Sequence, residues 1–119
     1  MFWEDSRDKF LVGVENIAEE IHKVNVEKGF WEEGKDRNDG EMIALMHSEL
    51  SELLEVVRKE GYLAKCEKVP TISAAEEEVA DLIIRVLDYS HARNLDVGRA
   101  VLEKLDYNKG RSYKHGKKF

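Results

Sequence analysis

A chain of 119 residues is one domain by its length, large enough for a core and small enough that a partner subunit can help to bury it. A composition of 42% hydrophobic and 37% charged residues with a single proline favours a soluble helical protein over a sandwich or a disordered chain. The net charge of −6 conceals an asymmetry: from Lys104 onward six basic residues stand against Asp106 alone, a charge of +5 that leaves −11 on the remainder. So acidic a body repels a phosphate backbone, and no nucleic-acid polymer is expected as a partner.

No apolar run approaches the roughly 20 residues of a membrane span, so no membrane partner is expected. Met1-Phe-Trp-Glu-Asp-Ser lacks the basic start and long apolar stretch of a signal peptide, and the expected compartment is the cytoplasm. The single cysteine, Cys66, excludes an internal disulfide and a multi-cysteine zinc site; it is expected to be a tolerated loop residue.

In chain order, the first helix is predicted from an N-cap at Asp5 or Ser6 to about Lys28, with Phe10, Val14, Ile17, Ile21 and Val24 as its apolar seam and Gly29 as its stop. The stretch 29–40 is polar and aperiodic apart from Phe30 and Trp31, which serve as an anchor on the core or as a pocket wall. Asn38 with Glu41 resembles a capping box, and Ile43, Met46, Leu50, Leu53 and Val57 form the seam of a second helix, from Met42 to about Glu60. Residues 61–72 make a connection around Pro70. Ser73 with Glu76 then opens a third helix to about Arg93, the most apolar of the four and the expected centre of the fold. Asp96 caps a short fourth helix to roughly Asn108, and the basic tail 109–119 shows no helical period. The expected fold is all-α, an antiparallel bundle of about four main helices in a single domain, 1–119.

Two carboxylate pairs stand out. Glu49 and Glu52, and again Glu78 and Asp81, lie three positions apart, so each pair projects from one side of its helix. Glu49 falls at the flank of an apolar arc, where a charge needs a partner. If the two helices face each other, four carboxylates converge on one volume, which suits a hard divalent cation; oxygen-only ligands select Mg²⁺ or Mn²⁺. Glu76 and Glu77 sit in a first helical turn, where negative charge is favourable without a ligand. A di-iron bundle is the rival reading, since Glu19-x-x-His22 and Asp88-x-x-His91 carry its element, but His22 points away from the first seam. Arg85 is expected to pair with Asp81 or Asp88. Mg²⁺ is commonly shared with a substrate's phosphates, and the basic C-terminus offers charges for the same phosphates, so a polyphosphate substrate is implied.

The order Glu-x-x-Glu then Glu-x-x-Asp resembles the all-α nucleoside triphosphate pyrophosphohydrolases, and the surrounding words resemble their small MazG-like members. Those words are Lys28-Gly-Phe-Trp31, Leu45 to Glu52, Glu77 to Asp81, Lys104-x-x-Tyr-Asn108 and Arg111-x-x-Lys-His-Gly-Lys-Lys-Phe119. The resemblance implies that Glu49, Glu52, Glu78 and Asp81 bind Mg²⁺ and carry catalysis, that Lys104, Asn108 and Arg111 contact phosphates or sugar, and that Trp31 lies near the base. It implies hydrolysis of (deoxy)nucleoside triphosphates to monophosphate and pyrophosphate; of the carboxylates that could take the water's proton, Glu52, at the edge of the apolar arc, is the one chosen here. It also implies a homodimer or homotetramer. A non-enzymatic helical dimer that binds nucleotides or a protein partner, and a hydrolase of alarmone-type nucleotides, are the alternatives.

Overall fold

The computed structural model describes the backbone of residues 2–119 and the side chains from Glu4 onward. Helix α1 spans Phe2–Glu27, α2 Asp39–Lys59, α3 Ala74–Ala92 and α4 Val97–Lys109, followed by a one-turn 3-10 segment, Tyr113–Gly116. The all-helical expectation holds, and the only strand-like pairing among the described residues is an isolated bridge between Lys65 and Ser73.

The predicted start of α1 is corrected: Asp5 and Ser6 lie inside the helix, and Glu4 and Asp5 occupy its first turn. Acids favour that turn because they face the positive end of the helix dipole, so they mark an N-terminus without capping it. The helix ends as expected, with Gly29 at φ 87°, a left-handed conformation that costs glycine little. Asn38 caps α2 by accepting from the Glu41 amide at 3.0 Å. At α3 both halves of the capping box form: the Glu76 amide donates to Ser73 Oγ at 3.0 Å and the Ser73 amide to Glu76 Oε1 at 2.8 Å. Asp96 caps α4 through the Arg99 amide at 3.2 Å.

Helix α3 is the central element, packed on α2 at one side and α1 at the other, while α4 returns onto α1. At that last crossing Gly98 faces Leu11 and Val14, where a Cβ would stand 3.4 Å from Leu11 Cδ2 and 3.5 Å from Val14 Cβ, in van der Waals contact. Arg7 fastens the same pair of helices with two hydrogen bonds to Asp106, 2.9 and 3.1 Å.

The arrangement is open. Its radius of gyration is 17.0 Å, against roughly 13–14 Å for a compact chain of this length. Among the described residues the buried apolar side chains are Ala18, Met42, Cys66, Ala74 and Leu87. The two predicted seams are therefore corrected in part: Phe10, Ile17 and Val24 on α1 and Ile43, Leu50 and Val57 on α2 are each at least 39% exposed. The face of α1 turned inward carries Leu11, Val14, Ala18, Ile21, His22 and Asn25 instead. Periodicity finds apolar stripes on a helix, and it does not say which stripe the chain itself covers.

Candidate metal centre and adjoining cavity

The capping boxes set the start of α2 and α3, and the packing of these helices brings their acids together. Single carboxylate oxygens of Glu49, Glu52 and Glu78 lie within 4.8 Å of one another, and so do those of Glu77, Glu78 and Asp81. The four acids singled out in the sequence thus gather around Glu78, which belongs to both groups, and Glu77 joins them. The first-turn position of Glu77 accounts for its charge without a ligand, and its place one residue before Glu78 carries no sequence signal of a second direction of use.

Glu49 is buried, 6% exposed, and its Oε2 has no hydrogen-bond partner. Its Oε1 accepts from Arg85 Nε at 2.9 Å. Arg85 therefore pairs across to α2, contrary to the expected pairing with Asp81 or Asp88 along its own helix; the interhelical partner is buried and leaves the fork little choice. Burial works against ionisation of Glu49, but its hydrogen bond from Arg85 and its contacts with Glu52 outweigh this and hold the carboxyl below its usual value. Glu78 goes the other way. Burial, reinforced by the neighbouring Glu52, Glu77 and Asp81, pushes it up to about 7, and its Oε2 is also buried without a partner. Burial together with Glu49 and Glu77 raises Asp81. Glu52 itself is exposed at the rim.

On the far side of Glu77 lies Cys66, in the connection between α2 and α3 as expected of a loop residue but enclosed there, 2% exposed. The bridge between Lys65 and Ser73, with Cys66 N donating to Ile72 O at 3.0 Å, folds the connection against the start of α3. There the thiol donates to Glu77 Oε2 at 3.0 Å and accepts from the Val69 amide at 3.3 Å, while Lys68 stands 3.4 Å from Glu77 Oε1. The thiol first, then Lys68, keeps Glu77 below its usual value against the effect of burial.

A cavity of about 240 Å³ adjoins the acids. Met42, Leu45 and Ile84 line it with apolar surface, Phe30 supplies an aromatic wall, and Glu49, Asp81, Arg85, Arg37, Asn25 and Asp88 supply its polar groups. Asp88, 4% exposed, accepts from His22 Nδ1 at 2.8 Å, Asn25 Nδ2 at 3.0 Å and Trp31 Nε1 at 3.0 and 3.2 Å. A carboxylate only accepts, so these contacts fix the His22 tautomer and the Asn25 amide orientation. Of the adjacent aromatics, Trp31 is thus the anchor: its indole is tied to Asp88, packed edge-on to His22 and covered by Arg37 at 5.2 Å. Phe30 is the one on the cavity wall. Asp88 lies on the same stripe as Asp81 and Arg85, at steps of four and three; the sequence offers it as a partner of Arg85, and the structure gives it His22, Asn25 and Trp31 instead.

His22 faces inward, which corrects its expected outward direction; the seam chosen for α1 was rotated from the face that packs on α3. The His22 and His91 rings lie 5.1 Å apart. The groups of side chains whose ligand atoms gather closely among the described residues are nonetheless the two carboxylate sets alone. Lys104, Asn108 and Arg111 are not among the residues lining the cavity. They belong to α4 and the turn after it, on the α1 side, where Lys104 and Arg111 lie over Tyr107 at 4.4 and 5.7 Å. Asn108 Oδ1 is buried there without a partner. No helix among the described residues is long and apolar enough to cross a membrane. The chain matches none of the protein-family models, curated proteins or solved structures with which it was compared.

Proposed function

We propose that the protein is a Mg²⁺-dependent nucleotide pyrophosphohydrolase that cleaves (deoxy)nucleoside triphosphates to the monophosphate and pyrophosphate. The observation that carries this reading is Glu49: a carboxylate 6% exposed, with one oxygen unpartnered and turned among other acids, is costly to bury unless a cation completes it. Glu49, Glu52, Glu78 and Asp81 would hold one or more ions, as two sets of oxygens that share Glu78, the second set completed by Glu77. These are hard oxygen donors without histidine or thiolate, which fit Mg²⁺ or Mn²⁺. The ion supplies Lewis-acid polarisation of a phosphoryl group and charge for the polyphosphate.

The chain's own residues divide the remaining work. Glu52, the exposed acid at the rim, would take a proton from water. Arg85 carries positive charge on the cavity wall. The exposed apolar stripes of α1 and α2 and the open shape support a homodimer or a pair of dimers. In such an assembly Lys104, Asn108 and Arg111 of one protomer would serve the acids of another, since α4 packs on α1 and away from the cavity wall.

Incubation with a panel of ribo- and deoxynucleoside triphosphates and Mg²⁺ is expected to release pyrophosphate and not orthophosphate, and Glu49→Gln is expected to abolish release. Absence of turnover with every nucleotide overturns the reading. The same exposed stripes favour a second reading, a non-enzymatic helical dimer, under which Mg²⁺ titration gives no heat. Tetraphosphate nucleotides in the panel test the alarmone-type alternative.

A further inference from the structure

The polar groups on the cavity wall differ in what they have left to offer a ligand. Asp88 already takes three donors, from His22, Asn25 and Trp31, on its two oxygens, so it has little acceptor capacity left for a ligand. Glu49 has given Oε1 to Arg85, and with Asp81 it belongs to the acid cluster. What remains is mostly donor. The bond from Nε to Glu49 is the only hydrogen bond that Arg85 makes among the described residues, so both of its terminal nitrogens are uncommitted at the cavity. Arg37 lies over Trp31 and 4.0 Å from Asp88, with further N–H groups to spare. The one neutral acceptor is Asn25 Oδ1, because the amide nitrogen is held by Asp88. Around these groups stand Met42, Leu45 and Ile84 and the half-open ring of Phe30, a setting for a flat heterocycle.

We infer that this cavity takes the nucleobase and selects oxo bases (uracil, thymine and hypoxanthine) over amino bases (cytosine and adenine), with Arg85 as the specificity-determining residue. This rests on the nucleotide reading above. An oxo base carries a carbonyl beside a ring N–H: the carbonyl accepts from a guanidinium fork, as guanine O6 and N7 do from arginine in DNA recognition, and the ring N–H has Asn25 Oδ1 as its acceptor. Cytosine and adenine put an exocyclic amine where the carbonyl would be, donor against donor, and leave buried N–H groups unpaired.

The test compares UTP with CTP and ITP with ATP, pairs that differ at the base by oxygen against amine at one carbon. With the full-length protein and Mg²⁺, kcat/KM from pyrophosphate release is expected to favour the oxo member of each pair at least about tenfold. In Arg85→Gln, which also removes the partner of Glu49, turnover is expected to fall for all four nucleotides, and for the oxo members by a further factor that brings the ratio toward one. Equal turnover within the wild-type pairs, or an Arg85→Gln loss of the same factor for all four nucleotides, overturns the inference; the latter would confine Arg85 to Glu49 and the phosphates. Calorimetric binding of the same nucleotides with Ca²⁺ in place of Mg²⁺ separates the two claims. A preserved oxo preference without turnover supports the base selection while overturning hydrolysis, and binding without preference overturns the selection.

Discussion

Arg85 of α3 reaches across to α2 and sets its Nε 2.9 Å from Oε1 of Glu49, the most buried carboxylate of the acid cluster. The guanidinium is the counter-charge that an acid so enclosed requires when no ion is present. Arg85→Gln is expected to lower the stability of the ion-free protein by about 2 kcal/mol, less than for a fully enclosed pair because Arg85 is 35% exposed. Added Mg²⁺ is expected to recover more stability in the variant than in the wild type. Urea denaturation with and without the ion measures both.

Glu78 makes the cluster sensitive to pH. Its carboxyl is pushed up to about 7 by burial and then by Glu52, so its protonated form is the one the fold favours. That contribution is present in full below the unfolded value of 4.5 and is lost as pH rises through about 7. Glu49 has the opposite sign, contributing above 4.5 and losing that contribution as pH falls. The ion-free protein is therefore expected to lose stability between about pH 5 and 8, and Glu78→Gln is expected to remove about 1–2 kcal/mol of that loss. Cation binding near pH 7 is expected to release protons, seen as heats that differ between buffers of different ionisation enthalpy. A flat stability profile with no proton release would contradict the assignment.

Asp88 holds the aromatic end of the cavity. Asp88→Asn turns one acceptor into a donor facing Trp31, Asn25 and His22, and is expected to cost about 2–3 kcal/mol, a Tm lower by roughly 10 °C. Intrinsic fluorescence of the Trp31 environment and a thermal scan report it.

The apolar stripes of α1 and α2 predict association. Sedimentation equilibrium is expected to give a dimer or larger species for the wild type. Ile17→Glu and Leu50→Glu, on exposed sites of α1 and α2, are expected to shift it toward monomer without unfolding a single helix.

The enclosure of Cys66 predicts a thiol that does not react with an alkylating reagent until the protein is unfolded by urea. Cys66→Ala leaves the Val69 amide without its acceptor and is expected to cost about 1 kcal/mol.

Much of this architecture was legible along the chain because its signals are local. Capping chemistry at Asn38, Ser73 and Asp96 placed three helix starts, and Gly29 placed a stop, since each depends on backbone groups only a few residues away. The four acids were legible for a similar reason: two pairs at helical spacing beside apolar residues need something positive, wherever the helices lie. The start of α1 was not, because Asp and Ser serve equally as caps and as first-turn residues.

By itself, then, the sequence determined four helices, the caps of the last three and four residues of the acid cluster, all properties written in short-range periodicity and charge. Only the tertiary structure decided which stripe of α1 turns inward, that His22 and Trp31 converge on Asp88, that Arg85 crosses to Glu49, and that Glu77 and Cys66 adjoin the cluster. These contacts join residues up to 66 positions apart. They depend on the rotation of each helix about its axis, which an apolar period leaves undetermined when a helix carries two apolar stripes and covers only one of them itself.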